Sequence, residues 1–412
     1  MSLSKRGKSN VKEMSALMHA DFSTRDKRYD PVNRKDGYIN LGTAETHLID
    51  KELIAFLENI QKNMKLESKN LHYDYFYGSE EFRTAIANHW QKLIFKRKKN
   101  RSISKENIIV GSGCSLALEM LATMLGDEGD VFLVPAPFYS GFIDDFSERA
   151  KVELVPVYNE ENLETEEFEK AYNEEVAKGK NVVGILFSSP NNPTGKVYSE
   201  NEIMNVVNFA MDKKLEVVSD EIYAQTIHSE ETEWISTLDL VPDEYLTHVH
   251  VTSSFAKDFA LSGFRTGFAI SFNEDLLKGM RNIAYYSGVS THTQALLTEL
   301  LKSDGLEELL ANNGKQLKKS YESIKEDLKS LGIEVKEAKG GLFVFANLRN
   351  YLEEDTFEGE KKLWSRLFND LKLNMSPGAI FNANEAGWFR ICYALDPMIM
   401  KEVVRRLKTL AE

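Results

Sequence analysis

The stretch 181-NVVGILFSSPNNPTGKVYSENEIMNVVNFAMDKKLEVVSDEIY-223 decides how the rest of the chain is read. Two nearly continuous apolar runs, NVVGILFS and LEVVSDE, bracket an amphipathic segment, and polar or turn-forming residues close each run at its C-terminal end. Strands covered on both faces have this composition, and parallel strands need a crossover between them. The same alternation runs from about residue 107 to 270 through IIVGSG, VFLVPA, KVELVPV, THVHVTSS and TGFAISF. The expected fold class is α/β, with a mostly parallel central sheet sandwiched by helices. Ligands in such sheets bind beyond the carboxyl ends of the strands, which makes the polar residues at those ends the first place to look for chemistry.

Outward from this core the pattern changes. After Leu300 come long charged helical stretches (LEELLANNGKQLKKSYESIKEDLKSL) and then short strand patterns in IEVKEAKGGLFVFANL and WFRICYAL, as a smaller α+β domain would have. The expected division is an N-terminal arm at 1–45 that packs on the small domain or a partner, a large domain at 46–300, and a small C-terminal domain at 301–412.

Composition narrows the function classes. The 412 residues are 42% hydrophobic and 28% charged, which suits a globular chain with two packed cores. No run approaches the roughly 20 apolar residues of a membrane helix, and the N-terminus lacks the apolar core of a secretory signal, so a cytoplasmic location is expected. Cys114 and Cys392 are too few for a disulfide framework. A net charge of −13 repels polyanions, and the basic run Lys96–Arg97–Lys98–Lys99 follows a helical stretch whose C-terminal end favours cations, so nucleic acid is not an expected partner. His248 and His250 alternate on one strand but lack a third ligand at metal spacing, and no metal is expected.

Six segments carry candidate chemistry. In VTSSFAKDFALSGFRTG, Lys257 sits in a Ser/Gly-rich loop between two strands, with Ser254 before it and Arg265 after it. A lysine amine near an arginine has its pKa lowered towards the range in which it forms a Schiff base, and Ser254 with Arg265 can grip a phosphate. LEVVSDEIY runs a buried strand into Asp220 and Tyr223: the acid can pair with a protonated pyridine nitrogen and keep that ring an electron sink, and the phenol can reach its phenolic oxygen. In SSPNNPTG, Asn192 between two prolines can donate to a cofactor oxygen. In IIVGSGCSLALEML the N–H groups of Gly113, Cys114 and Ser115, with the Ser115 hydroxyl, make a phosphate cradle at a helix N-terminus. Tyr139 in VFLVPAPFYSGF can stack on a flat ring. Arg390, in the apolar strand of GWFRICYAL, needs an anion, either a substrate carboxylate or a structural salt bridge.

In this order the segments resemble the class I/II aminotransferase family of fold-type I pyridoxal 5′-phosphate (PLP) enzymes, over nearly the whole chain. YDPVNRKDGYINLGTAETHL, GSEEFRTAIANHW, GDVFLVPAPFYSGFIDDF and NMSPGAIFNANEAGWFRICYA are most similar to the 1-aminocyclopropane-1-carboxylate (ACC) synthase branch. The resemblance implies PLP on Lys257, Asp220 at the pyridine nitrogen, Asn192 and Tyr223 at the phenolic oxygen, Tyr139 stacked on the ring, and Cys114, Ser115, Ser254 and Arg265 around the phosphate. It implies Arg390 at the substrate carboxylate and Glu45 at the substrate end. It also implies a homodimer with shared active sites and small-molecule amino acid and 2-oxo acid substrates. The chain departs from the family pattern at Ser189, at Ala256 and at Phe76. The last position belongs to a tyrosine that reaches the neighbouring subunit's phosphate, leaving Tyr75 or Tyr77 for that task. The expected activity is transamination, with an ACC synthase-type lyase acting on S-adenosylmethionine as the alternative and a PLP-binding protein without turnover as the second. The two X–Pro bonds expected to be cis are Asn192-Pro193 and Ala136-Pro137.

Overall fold

In the computed structural model, which describes residues 3–158 and 163–411, a short strand β1 (Ile39–Asn40) precedes seven strands that pair into one sheet. These are β2 (Ile108–Gly111), β3 (Val131–Ala136), β4 (Glu153–Tyr158), β5 (Val182–Ser188), β6 (Glu216–Asp220), β7 (Val249–Ser254) and β8 (Gly267–Ile270), in the spatial order β2-β8-β7-β6-β5-β3-β4. Strands β3, β7 and β8 are buried along their whole length, and burying each Val, Leu, Ile or Phe side chain contributes roughly 1.5–3 kcal/mol. Strand β4 forms the edge and leaves Glu153 and Tyr158 exposed.

The sheet is parallel except at β8, which runs antiparallel to both β7 and β2. The physical reason lies in the connection. The chain returns from β7 through 255–266, which holds only a 3-10 turn at Ser262–Phe264 and no crossover helix, so the next strand pairs with its predecessor in the opposite sense. That return loop carries Lys257, and it starts from the carboxyl end of β7. The in-register pairing places Ser188 of β5 beside Asp220 of β6, and Asp220 beside Thr252 of β7. Since β4 and β5 pair on opposite sides of β3, the chain also changes its direction of travel across the sheet there, which opens a crevice at the carboxyl ends of β3 and β5.

Helices cover both faces. Glu80–Ile94 and Glu200–Lys213 lie over a core in which Trp90 meets Phe255, Phe259 and Phe268 at ring-centroid distances of 4.6–5.7 Å. Cys114–Leu125, Gly141–Ser147 and Glu274–Ile283 pack on the other side.

A second sheet follows: β9 (Glu334–Val335), β10 (Phe343–Asn347), β12 (Ser376–Pro377) and β13 (Trp388–Cys392) pair antiparallel in the order β12-β13-β10-β9, while β11 (Leu373–Asn374) pairs parallel with β1. Buried Arg406 donates to the carbonyls of Lys35, Gly37 and Leu371, fastening the N-terminal segment to the C-terminal part. The long helix Leu306–Ser330 joins the two cores, with Leu306 in the first and Leu317, Tyr321 and Ile324 in the second. No described helix is long and apolar enough to cross a membrane. Of the two prolyl bonds expected to be cis, Ala136-Pro137 is cis and Asn192-Pro193 is not; the other cis bond among the described residues is Ser189-Pro190.

Candidate active site

The carboxyl ends of the central strands open into a cavity of about 1920 Å³ that is lined from both sheets. Glu45, Cys114, Ser115, Tyr139, Asn192, Asp220, Tyr223, Ser254, Lys257, Arg265 and Arg390 all line it. Tyr75 does not: its ring is exposed and stacks on Tyr77 at 5.1 Å, while Phe76 stands edge-on to Tyr285 at 4.7 Å.

Lys257 reaches the cavity from the β7–β8 return, and its Nζ donates to the Ala44 carbonyl at 2.7 Å. Desolvation lowers its pKa from 10.5 to about 8, against the pull of Glu45, with Arg390 and Arg265 pushing the same way as burial. An appreciable fraction of the amine is thus neutral near neutral pH, as a nucleophile or base requires.

One end of the cavity is built for an anion. Gly113, at φ +89°, caps the helix Cys114–Leu125 without a side-chain cap, so the first-turn N–H groups of that helix keep no intrahelical partner. The Arg265 guanidinium packs so closely on Gly113 that an added Cβ would stand 2.7 Å from its Nη2, and a Cβ on Gly267 would stand 2.4 Å from the Cys114 nitrogen. Only glycine at both points lets the two loops close into a cradle. Gly113 itself contributes no free N–H, because its own donates to the Gly111 carbonyl at 2.8 Å in the tight turn that lifts the chain off β2; the expectation of three free groups is corrected to Cys114 and Ser115.

Asp220, at the end of β6, is buried and accepts from Thr252 Oγ1 at 3.1 Å. Burial raises its carboxyl to about 6, while Thr252, Cys114 and the Ile222 N–H hold it down. At pH 7.5 it is a buried carboxylate without a cation on it, suited to a protonated ring nitrogen. Tyr223 is buried edge-on to Phe343 at 5.5 Å, and burial pushes its phenol well up, so it stays a donor. Desolvation of its hydroxyl holds the Tyr139 phenol up at about 12, although the residue as a whole is 36% exposed. Arg390 comes from β13 and lies between the rings of Phe343 and Phe381 at 5.1 and 4.9 Å. Its Nη1 donates to Asn192 Oδ1 at 2.9 Å, its Nη2 to the Gly42 carbonyl, and its buried Nε has no partner. The structural salt bridge considered for it is absent among the described residues: the groups that meet it are neutral, which leaves its charge for a ligand.

Some groups escaped the sequence reading. Asp145 lines the cavity, and burial lifts it to about 7. It falls three residues after buried Phe142 on a short helix, so helical spacing alone marked it as inward, whereas its neighbour Asp144 pairs with Lys12 at 3.5 Å. Ser262 donates to Glu45, fixing that acid at the cavity wall, and no local pattern connects two residues so far apart in the chain. The basic run is absorbed internally: Asp239 accepts from the backbone N–H groups of Arg97 and Lys98, and Arg97 pairs with Glu200. His248 and His250 do share a carboxylate, Glu216 at the start of β6, which sequence spacing could not reveal.

An amine near neutrality, an acid for a ring nitrogen, a glycine-built anion cradle and a buried guanidinium, arranged at the crevice of this α/β sheet, define a fold-type I PLP enzyme. Comparison with known proteins carries this further. The family profile "Aminotransferase class I and II" matches residues 36–407. The tomato (Solanum lycopersicum) 1-aminocyclopropane-1-carboxylate synthase 4 is 32% identical over 92% of this chain and 82% of its own length. A protein described as a probable aminotransferase, ACS12 of Arabidopsis thaliana, is 31% identical over 93% and 80%. Among solved structures, the aromatic aminotransferase of Pyrococcus horikoshii OT3 superposes with a TM-score of 0.78 at 21% identity, covering 96% of this chain and 98% of that one. The Thermus thermophilus aspartate aminotransferase with maleate gives 0.77 at 20%, covering all of both chains. The chain belongs to the class I and II aminotransferase family, whose members depend on PLP.

Proposed function

We propose that this chain is an aminotransferase that moves an amino group between an α-amino acid and a 2-oxo acid. The observation that carries the choice is Phe76. Apart from Glu45, the groups lining the cavity serve transamination and ACC formation alike, but a phenyl ring packed on Tyr285 has no hydroxyl to offer at the position where the resemblance places a tyrosine.

The residues divide the task as follows. Cys114, Ser115, Ser254 and Arg265 would hold the phosphate of PLP, Tyr139 would pack on its ring, and Asn192 and Tyr223 would donate to its phenolic oxygen, all of them lining the one cavity. Bound there, PLP supplies the electron sink that acidifies the Cα–H of an amino acid joined to it. Asp220 would stay ionised beside the ring nitrogen and favour its protonated form. Arg390 orients the substrate carboxylate through the Nε that has no partner in the chain. Lys257 Nζ would take the α-proton and hold it for return, and its lowered pKa lets one group both accept and release it. Tyr73, Phe76, Tyr285 and Tyr286 pack ring on ring into an exposed aromatic patch suited to a second copy of the chain, which supports a homodimer.

The second reading, an ACC synthase-type lyase, has one observation in its favour beyond the relatives' names: Glu45 lies in the cavity, held by Ser262. One experiment separates the readings. Amino acids are screened as donors by loss of the yellow colour of the PLP-loaded protein as the cofactor passes to its amine form, and S-adenosylmethionine is assayed for ACC and methylthioadenosine. Keto-acid formation from a common donor with no cyclopropane product is expected. Efficient ACC release would overturn the assignment, and bound PLP with no turnover of either kind would overturn both enzyme readings.

A further inference from the structure

A second cavity, of about 550 Å³, lies on the far side of the loop that carries Asp220 and Tyr223. The helix Glu80–Ile94 and its continuation form one wall, the long helix Leu306–Ser330 forms the other, and residues 225–230 form the floor. Its size is in the range of small-molecule sites.

Three features of its lining point one way. First, Lys92, Lys96, Lys315 and Lys318 converge on it, although the chain as a whole carries a net charge of −13. Glu230 pairs with Lys318, but Lys92 and Lys315 face each other's wall with no ion pair among the described residues. Glu307 also lines the pocket and Lys96 Nζ donates to the Trp234 carbonyl at 3.4 Å, so four lysines stand against two carboxylates, a surplus of positive charge that an anion would offset. Second, Gly314 sits in the middle of the long helix, where glycine costs about 1 kcal/mol relative to alanine. Nothing outside its own helix lies within 4 Å of where its Cβ would stand, so no packing neighbour demands a glycine there; the space it leaves is the pocket. Third, buried His228 lines the pocket with its Nε2 unpartnered. Burial, then Lys339, Lys325 and Lys318, hold its imidazole down at about 4, so it stays a neutral hydrogen-bonding group in the pocket wall and adds no positive charge.

We infer that this pocket binds a small polyanion, its charge carried on phosphate or carboxylate groups, between the two helices. Such a ligand would offset the surplus positive charge, chiefly that of Lys92 and Lys315, and occupy the space at Gly314. It would also brace a loop whose first residues line the cofactor cavity and whose Gln225 lies against Asp258, the neighbour of Lys257.

Calorimetric titration of the PLP-loaded protein tests this, with inorganic pyrophosphate and citrate as separate probes; loading fills the cofactor cradle so that it does not compete. Saturable binding at one site per chain is expected, with pyrophosphate the tighter probe if the natural ligand is a phosphate and citrate the tighter if it is a carboxylate. The double variant Lys92→Gln/Lys315→Gln removes two exposed, unpaired charges and should fold normally while weakening binding about tenfold or more, a loss of about 1.4 kcal/mol. Gly314→Phe fills the space without touching charge and should weaken binding as much. Hydrogen exchange should slow over 225–230 on addition of the anion. Unchanged affinity in both variants, protection confined to 254–265, or no saturable binding of either probe would overturn the inference.

Discussion

Strand β6 carries a carboxylate at each end, and the two have opposite fates. At the amino end, Glu216 accepts from His248 Nδ1 at 2.9 Å and His250 Nε2 at 3.0 Å, and His250 in turn meets Ser271. Burial works to raise the Glu216 carboxyl, but the two imidazoles more than offset it and bring it below 4.5. At the carboxyl end, Asp220 has a hydroxyl and a thiol for company and no ion pair among the described residues, only the weaker pull of Lys257 from across the cavity, and burial wins. The amino end is a finished polar network, so it is structure. The carboxyl end is left short of a positive charge that the chain does not supply to it, which is what a ligand-binding end needs.

The hardest test of that contrast is Lys257→Ala. Losing the proposed base and nucleophile from the unfinished end should cut turnover by about 10⁴-fold or more and abolish covalent fixation of the cofactor by borohydride, with the thermal midpoint of the cofactor-free protein hardly changed. Recovery of the reduced adduct on a different lysine would show that the cavity's amine is not the reactive one.

Asp220→Asn separates stability from activity at one residue. In the cofactor-free protein its carboxyl titrates near 6 instead of 3.8, so the folded state holds a proton that the unfolded chain has released. Its contribution to stability is therefore lost as pH rises from about 4 to 6 and beyond. An uncharged amide removes that loss. The variant should melt higher than wild type at pH 7.5, by on the order of 1–2 kcal/mol, and show no advantage at pH 4. Turnover should nonetheless fall about 10²–10³-fold, because the amide cannot hold the ring nitrogen protonated. A variant that is less stable at pH 7.5 would mean that the wild-type carboxylate already has a cationic partner.

How far the sequence reached follows the same division. Buried strands were legible because continuous apolar runs have few other homes, and the site was legible because its polar residues stand at the ends of those runs. Lys257, Asp220, Asn192 and Tyr139 are far apart in the chain, yet they line one cavity because β3, β5, β6 and β7 end together. Whatever depends on pairing between distant segments was hidden. The reversal of β8 is a property of a loop too short on helix to cross over. The Glu216 link between the two histidines needs the register of β6 against β7, and the capture of the Arg390 fork by Asn192 and Gly42 needs the two sheets to meet. The spent N–H of Gly113 depends on a turn conformation that glycine permits and composition does not specify.

Arg390→Lys sharpens the contrast at the substrate side of the unfinished end. A point charge replaces a planar fork, so the bonds to Asn192 and Gly42 and the free Nε cannot all be reproduced. KM for the amino donor should rise about 10- to 100-fold, with a smaller fall in kcat, since orientation suffers more than the chemistry. Equal losses across donors of every side chain would place the defect at the common carboxylate, whereas a donor-dependent loss would move Arg390 to the side-chain end.

The smallest effect is expected at the amino end, from Glu216→Gln. The amide keeps an acceptor for one histidine but loses the charge that both share, in a side chain that is mostly buried. Because the folded carboxyl is held below 4.5, its stabilisation is fully present above that value and is lost as pH falls through the lower, folded-state value. The cost of the substitution should therefore be about 1 kcal/mol at pH 7 and shrink towards zero in acid, the reverse of the pH trend for Asp220→Asn. Turnover at pH 7.5 should stay within about twofold of wild type, since the change lies a strand's length from the cavity and leaves its lining untouched. A loss of activity comparable to that of Asp220→Asn, with the fold intact, would show that the two ends of β6 are coupled, and the division between a structural end and a functional end would fail.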